Sequence, residues 1–226
     1  MSEYEAISAA LKSGVMALGL PLSDQQHARL LDYGTLILKW NKVYNLTAVR
    51  DFPGVLTHHL LDSLAVVLPL RRELEKRVGG VPAPGATWRL LDVGSGAGLP
   101  VAVISIMNDN IQVSCLDAVA KKVAFVQQVA AELKLPNLRG VHARVESLAG
   151  EYDIVSSRAF ASLPDFYRGS VNALATEGVW LAMKGKVPDE ELAVLPSFVD
   201  VFHVEQLKVP GLDAERCIVW ARQSRE

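Results

Sequence analysis

Three glycines at alternate positions, Gly94, Gly96 and Gly98, have the spacing most suggestive of binding chemistry. They follow the apolar segment 90–93, which predicts a buried strand, and precede the apolar segment 101–107, which predicts a helix. A glycine turn between a strand and a helix binds an anion or a nucleotide tail at the helix N-terminus. Glycines also adopt positive φ and admit a ligand close to the backbone. A tight turn that binds nothing has the same pattern, so other residues must distinguish the two interpretations.

The spacing of this turn differs from that of a dinucleotide-binding turn. The dinucleotide fingerprint is G-x-G-x-x-G, whereas here the third glycine comes one residue earlier. Asp92 lies two residues before Gly94, at the end of the predicted strand. The pattern acid-x-Gly-x-Gly-x-Gly resembles the first motif of class I methyltransferases, which bind S-adenosylmethionine. Because a sulfonium cofactor has no pyrophosphate, its turn holds only an amino-acid carboxylate, and we expect S-adenosylmethionine rather than NAD.

Asp117 is a candidate for the ribose of such a cofactor. It ends the second predicted strand, 23 positions after Gly94. A carboxylate accepts hydrogen bonds from two ribose hydroxyls, and dinucleotide sites use an acid about 20 residues after the turn for this purpose. Asp117 also precedes a predicted helix, so capping that helix is an alternative role, and one carboxylate can serve both.

Two later loops carry further cofactor candidates. Val145 and Glu146 follow the third predicted strand. In a class I fold this loop lies beside the adenine, where Val145 would stack on the base and Glu146 would read the purine edge. Arg158 follows the fourth predicted strand, whose carboxyl end faces the transferred methyl group if the strand order reverses between strands one and four. The alternatives are a solvated surface acid for Glu146 and an ordinary surface arginine for Arg158.

Basic residues near the same predicted cleft are candidates for phosphate contacts. Lys184 and Lys186 flank a glycine at the carboxyl end of the fifth predicted strand, a position suited to binding phosphate. The spacing of His58, His59 and Asp62 also fits one helix face, but no further ligands are grouped nearby and we expect no metal site. The residues that would extend the positive patch are Arg158, Arg50, His58 and His59.

Alternating strand and helix patterns from residue 88 onward predict a parallel sheet with helices on both faces. Upstream, Ser23 and Asp24 cap a predicted helix, another helix follows Pro53, and the Gly- and Pro-rich segment 79–87 predicts a linker. We therefore divide the chain into an N-terminal helical extension with its linker, 1–87, and a cofactor-binding domain, 88–226. The predicted strands are 89–93, 111–116, 138–142, 152–156, 178–184, 200–208 and 216–222, and the predicted helices between them are 99–107, 119–134, 162–175 and 189–195.

The composition limits the classes of partner. The 226 residues include 23 Lys and Arg against 25 Asp and Glu, so a nucleic-acid partner requires a local basic patch. The acidic N-terminus lacks a signal-peptide pattern and no apolar run reaches the length of a membrane span, so we expect a cytoplasmic protein with no membrane contact. Cys115 and Cys217 lie in apolar runs and are expected to be buried free thiols.

Segments spanning about residues 20–222 resemble the bacterial RsmG family, also called GidB, whose members are 16S rRNA guanine-N7 methyltransferases. One difference is Val101, where the family commonly has glycine after Pro100, and we expect it to narrow the turn. The matching segments are 40–47 (W-N-x-x-x-N-L-T), 59–64 (H-x-x-D-S), 91–100, Asp117 with 121–125, 157–161 and 183–185.

The resemblance implies a fold, a cofactor and a substrate. The fold is α/β, a class I (Rossmann-like) methyltransferase with a seven-stranded mostly parallel sheet, helices on both faces and an N-terminal helical extension. The cofactor is S-adenosylmethionine, and the partner is 16S rRNA or a precursor of the small ribosomal subunit, with no metal and no obligate protein partner. The resemblance assigns binding to Gly94, Leu99, Val145, Glu146 and Arg158.

The implied chemistry needs no catalytic base. Guanine N7 carries an in-plane lone pair and no proton, so positioning and electrostatics would supply the rate. Two other classes remain open at this point. One is a methyltransferase for a small molecule or a protein, since a glycine turn does not identify a substrate. The other is a ribosome-assembly factor that binds the cofactor without catalysis.

Overall fold

All seven predicted strands are present in one sheet. A computed structural model describes residues 2–77, 87–149, 151–159 and 161–224. The strand order is β3-β2-β1-β4-β5-β7-β6, in which the four pairings among β1 to β5 are parallel and β7 runs antiparallel to both β5 and β6. The class I architecture with a two-stranded antiparallel edge is therefore confirmed. The strands are β1 (Trp88–Val93), β2 (Ile111–Asp117), β3 (Leu138–His142), β4 (Tyr152–Arg158), β5 (Leu174–Lys184), β6 (Val199–Leu207) and β7 (Arg216–Gln223).

The helices follow the prediction except near two boundaries. α8 is shorter than predicted because a 3-10 turn, Val171–Ala173, leads directly into β5. α9 is a single turn, since Pro196 disfavours helical backbone in the residue before it. The helices are α1 (Glu3–Ala17), α2 (Asp24–Tyr44), α3 (Phe52–Val55), α4 (Asp62–Leu64), α5 (Val67–Arg77), α6 (Val101–Met107), α7 (Ala120–Glu132), α8 (Leu163–Ser170) and α9 (Asp189–Leu192).

Side chains determine both ends of α2, and the sequence predicts the cap at Ser23. The hydroxyl of Ser23 accepts a hydrogen bond from the amide of Gln26, and the Gln26 side chain accepts one from the Ser23 amide. This reciprocal pair satisfies two amides that the first turn leaves free. The helix ends at Asn45, whose φ of 48° is in the left-handed region that asparagine tolerates better than most residues.

Two apolar clusters cover the two faces of the sheet. Side chains alternate in direction along a strand, so successive residues of β1 pack on opposite faces of the sheet. Leu90 packs in the first cluster and Leu91 in the second. The first cluster also contains Leu30 of α2 and Leu60, so the N-terminal helices and the sheet share one core. The division of the chain at residue 87 stays a prediction, and residues 79–86 of the predicted linker lie outside the described residues.

One helical run, Phe52–Arg77, contains α3 to α5 and a π-helical turn, Leu56–Leu61. Its length and composition would suit a membrane span, but 72% of its most apolar window is buried inside the protein. Such burial is typical of a core helix. Cys115 and Cys217 are buried and unpaired, as predicted.

Candidate functional site

The glycine turn lies at the carboxyl end of β1, where the strand order reverses between β1 and β4. Open α/β sheets bind their ligands at such a reversal. Gly94, Gly96 and Gly98 have φ values of 72°, 57° and 80°, which L side chains rarely adopt. The nearest atom to a Cβ built on Gly96 would be the Gly94 carbonyl oxygen at 4.0 Å. A side chain at Gly96 would therefore project into the open cleft and fill ligand space.

The turn is tied to its surroundings by backbone bonds. The amides of Gly94 and Ser95 donate to the carbonyl oxygen of Leu116 at 2.9 Å and 3.1 Å. From the N-terminal extension, the buried hydroxyl of Tyr33 donates to the Ala97 carbonyl at 2.6 Å. Val101 is fully buried in the first apolar cluster and is absent from the described lining of the cleft.

Asp92 is a buried carboxylate immediately below the turn. Its Oδ1 accepts a hydrogen bond from the Ser156 hydroxyl at 2.7 Å, while its Oδ2 is buried and has no hydrogen-bond partner. Burial raises the pKa of Asp92 from 3.8 to about 7, and the Ser156 hydrogen bond opposes that increase. An unpartnered carboxylate oxygen at this position favours a cation in the adjoining site.

Asp117 organises the end of β2. One carboxylate oxygen accepts from the Gly96 amide at 3.0 Å, and the other accepts from the Val119 amide at 2.9 Å, immediately before α7. The N-cap residue of α7 is Val119 and the helix has no side-chain capping bond, so Asp117 holds the turn before the helix rather than capping the helix itself. Each carboxylate oxygen has a further lone pair, so the same side chain can also accept from ribose hydroxyls. That second role stays a prediction.

Two adjoining cavities that share Gly94 and Ala159 form one cleft. The first, which we call the Asp117 cavity, has a volume of about 470 Å³ and is lined by Val145 and Glu146. Val145 is buried and Glu146 is exposed, and the exposure of Glu146 is compatible both with a purine contact and with a solvated surface acid. The structure thus brings the three predicted nucleoside contacts into one space beside the glycine turn.

The second cavity, which we call the Arg158 cavity, has a volume of about 540 Å³. Its lining includes Leu99, a predicted cofactor contact, and His58, a predicted part of the basic patch. Met183 and Gly185, at the end of β5, form its opposite wall. Arg158 has only 22% of its side chain exposed, so it is a pocket residue rather than an ordinary surface arginine.

A loop after α2 forms another wall of the Arg158 cavity, and the W-N-x-x-x-N-L-T segment explains its shape. Asn41 accepts from the Thr47 amide at 3.0 Å and donates to the Val49 carbonyl at 2.8 Å. The Thr47 hydroxyl is 2.7 Å from Nε2 of His59. Burial lowers the pKa of His59 to about 4, so the ring is neutral at pH 7. These contacts indicate that His59 holds the loop in place, and its predicted contact with RNA stays a prediction.

Asp62 and Arg216 form ion pairs in the cleft that the sequence did not predict. The carboxylate of Asp62, 2% exposed, accepts from Nη1 of Arg158 at 3.0 Å and from Nε of Arg216 at 2.7 Å. An acid within an apolar helix could have predicted an ion pair, because a buried carboxylate needs a partner. Arg216 begins β7, and the antiparallel direction of that strand brings its first residue to the carboxyl edge of β5.

The remaining predicted basic residues have different surroundings. Lys184 pairs with Glu191 at 2.9 Å and has 17% of its side chain exposed. Lys186 is exposed and lies outside the described linings of both cavities. Arg50 bonds to the Asn45 side chain at 3.2 Å and lines a separate surface pocket. Among these, the structure brings only Lys184 into the cleft beside Arg158 and His58.

Two alanines between β4 and α8 have backbone angles that are rare for residues other than glycine. Ala159 and Ala161 have φ values of 55° and 44°, in the left-handed region that costs a non-glycine residue about 1–2 kcal/mol. Phe160 of the predicted motif lies outside the described residues. Among residues the structure describes, no three His, Cys, Asp or Glu side chains form a group suited to a metal.

Comparison with known proteins agrees with this geometry. The GidB family, described as rRNA small subunit methyltransferase G, matches residues 26–219. A protein of that name from Paracidovorax citrulli is 60% identical over 220 residues, covering 96% of this chain and 90% of its own length. The corresponding protein of Acidovorax ebreus is 62% identical over 214 residues and covers 94% of each chain.

Solved structures with low sequence identity share the fold. TrmN from Thermus thermophilus superimposes with a TM-score of 0.54 at 18% identity, covering 75% of this chain and 53% of its own. A ribosomal protein L11 methylase from Lactobacillus delbrueckii gives 0.54 at 13% identity, covering 73% and 79%. With the family match over most of its length, this chain belongs to the rRNA small subunit methyltransferase G family, GidB.

Proposed function

We propose that this protein transfers a methyl group from S-adenosylmethionine to N7 of a guanine in 16S rRNA of the small ribosomal subunit. The observation that carries the proposal is the divided cleft at the β1–β4 reversal, in which Asp117 lines one cavity and Arg158 the other. Membership of the family supports methyl transfer, and the names of the relatives support small-subunit rRNA as the substrate. A cytoplasmic location follows from that substrate, because bacterial ribosomes are assembled there.

The residues of the Asp117 cavity fit S-adenosylmethionine. Gly96, in the lining of the adjoining Arg158 cavity, leaves open space beside the backbone for the amino-acid end of the cofactor. The unpartnered oxygen of Asp92 beneath the turn favours the positive charge of that cofactor. Asp117 has lone pairs left for ribose hydroxyls, while Val145 and Glu146 would contact the adenine. When bound, the cofactor supplies an electrophilic methyl group on a sulfonium sulfur.

The part of the Arg158 cavity away from the glycine turn, beside Arg158 and Met183, is left for the guanine. Its walls are the loop containing Thr47 and the end of β5 at Met183, which would limit water around the reacting atoms. The target base must leave its stack to enter. Fixing it beside the methyl group can contribute roughly 7–11 kcal/mol through orientation alone.

The protein does not need to remove a proton from the guanine in this reaction. N7 provides a lone pair, a carbon–nitrogen bond forms as the carbon–sulfur bond breaks, and positive charge moves from sulfur to the purine. The one histidine buried beside the cleft, His59, is neutral and bonded to Thr47, which suits a positioning role. Electrostatic stabilisation of the cationic base then falls to the surrounding dipoles.

Methyl transfer with purified components tests the proposal. Small ribosomal subunits from cells lacking the enzyme are incubated with the protein and radiolabelled S-adenosylmethionine, and the labelled nucleosides are separated. We expect label in N7-methylguanosine, and much less of it with Arg158→Gln. Arg168→Gln is the matched control, because Arg168 is an exposed arginine paired with Asp165. Label in a ribosomal protein, or at another nucleoside, would contradict the proposal.

A further inference from the structure

Asp62, Arg158 and Arg216 form a charge cluster in the wall of the Arg158 cavity that the reaction described above does not fully use. Asp62 comes from α4, Arg158 from the end of β4 and Arg216 from the start of β7. Strand β5 lies between β4 and β7. Three distant segments of the chain therefore converge on one buried carboxylate.

The hydrogen bonds leave part of each guanidinium free. Arg158 uses Nη1 for Asp62 and, at 3.5 Å, for the His58 carbonyl. Arg216 uses Nε for Asp62 and Nη1 for the Glu215 carbonyl at 2.8 Å. Nη2 of both arginines has no hydrogen-bond partner among the described residues. Neither Nη2 atom is among the buried polar atoms that lack a partner, so both remain accessible. Donors remain that can bind a ligand in the cavity.

The charges of this wall do not balance. Asp62 is the one carboxylate in the described lining of the cavity, and it faces two guanidinium groups. Lys184, in the same lining, is paired with Glu191. The cluster therefore keeps an excess positive charge next to the space left for the base. Paired guanidinium groups match the geometry of a phosphate better than that of a neutral base.

We propose that Arg216, set beside Arg158 by Asp62, binds a phosphate of the RNA strand that carries the target base. Arg216 is then a binding residue, and Asp62 is a positioning residue that acts through both arginines. This inference rests on the proposed function for its substrate class, since a nucleotide in the cavity brings its phosphate with it. It explains why an acid is buried at a site for a polyanion: the carboxylate orients two cations that would otherwise repel each other.

Guanosine 5′-phosphate and guanosine, which differ by one phosphate, provide the direct test. Each is titrated into the protein saturated with S-adenosylhomocysteine, and binding is followed by NMR of the arginine side chains. Wild type should bind guanosine 5′-phosphate more tightly than guanosine, and Arg216→Gln should reduce that preference about tenfold. Arg222→Gln is the matched control, because Arg222 lies on the same strand and pairs with Asp200 at 2.8 Å.

Salt dependence on the natural ligand gives a second readout. The affinity for small ribosomal subunits should fall less steeply with salt in Arg216→Gln than in wild type, by about 0.7 in the slope if the contacted strand is single. Asp62→Asn should reduce the nucleotide preference as well, while the far-UV circular dichroism spectrum of the variant matches that of wild type. The latter measurement separates a positioning role from general unfolding.

Two results would overturn the inference. One is an equal affinity of wild type for guanosine 5′-phosphate and guanosine. The other is an Arg216→Gln variant that loses affinity for S-adenosylhomocysteine but keeps the nucleotide preference, which would assign Arg216 to the cofactor. Failure of the proposed function is distinguishable, because it would appear as a lack of N7 methylation by wild type while the phosphate preference persists.

Discussion

At the scale of single residues, Asp117 combines a structural role with the one proposed for binding. Its carboxylate connects the glycine turn to the start of α7 through Gly96 and Val119. The sequence predicted a ribose contact and a helix cap, whereas the structural role observed is to hold the glycine turn and the turn before α7. The contacts also mean that loss of the side chain would disturb the turn, so a test must separate binding from folding.

Asp117→Asn should weaken cofactor binding and leave the fold largely intact. The amide keeps the size of the side chain and one acceptor, but it loses charge-assisted bonds to ribose hydroxyls worth about 1.5–3 kcal/mol. Titration calorimetry with S-adenosylmethionine measures the effect, and thermal unfolding checks the fold. Asp109→Asn, an exposed acid of the preceding turn, is the control. An unchanged affinity in a folded Asp117 variant would remove this residue from the site.

Asp92 makes the stability of the protein depend on pH in a predictable direction. Burial raises its pKa to about 7 in the folded protein, so the folded state holds a proton that the unfolded chain loses near pH 4. The corresponding stability is complete below pH 4 and is lost as pH rises through about 7. We expect Asp92→Asn to remove this loss, which is on the order of 4 kcal/mol for a change of about three pKa units.

Denaturant unfolding of the two proteins between pH 4 and 8 measures this difference without ligand. The free energy of unfolding of wild type should fall relative to that of Asp92→Asn across the interval. Any constant cost of burying the amide shifts the two curves apart equally at every pH. Parallel curves would therefore show that Asp92 does not titrate in this range.

At the scale of elements, the N-terminal helices build part of the cleft. α2 contributes Tyr33, which bonds to the glycine turn, and Asn41, which shapes the loop beside the Arg158 cavity. Local signals predicted the helix and its cap, because Ser23 and the apolar spacing are properties of neighbouring residues. The contact of Tyr33 with Ala97 joins residues 64 positions apart, and no local pattern indicates it.

Tyr33→Phe should loosen the turn through that one lost bond. The Ala97 carbonyl would remain buried without its donor, at a cost of about 1–3 kcal/mol in stability. We expect a matching decrease in cofactor affinity, because the turn is the proposed binding element. Chemical denaturation and calorimetry measure the two effects. Tyr44→Phe on the same helix is the control, since the described contact of Tyr44 is ring packing with Trp40. Equal affinity in wild type and Tyr33→Phe would show that the turn does not depend on α2.

At the scale of the whole molecule, the sequence predicted the sheet far better than the charge network. Seven strands follow from apolar runs, and a mostly parallel sheet follows from the family resemblance, which the topology confirms. The grouping of Asp62, Arg158 and Arg216 depends on a helix, a parallel strand and an antiparallel strand meeting at one edge. Asp62 is bonded there to Arg158, 96 positions away along the chain, and to Arg216, 154 positions away. The network therefore forms only in the assembled fold.

We expect the rate of methyl transfer and the affinity for the cofactor to depend differently on pH. With saturating cofactor, the single-turnover rate of methyl transfer should not change with pH as it would for one catalytic base, because N7 has no proton to give. Cofactor affinity should rise as pH increases through about 7, where Asp92 ionises, and Asp92→Asn should abolish that rise. A one-proton decrease in rate that disappears on mutation of a single His, Asp or Glu, with binding intact, would refute the mechanism without a base.

The central claim is that this cleft methylates N7 of a guanine in 16S rRNA. The most direct measurement is chemical mapping of N7-methylguanine in 16S rRNA from cells with and without this gene, since N7 methylation makes the strand cleavable at that nucleotide. We expect one cleavage site that is present with the gene, absent without it, and restored by wild type but not by Arg158→Gln. An identical pattern of N7-methylguanine in both cell types would contradict it.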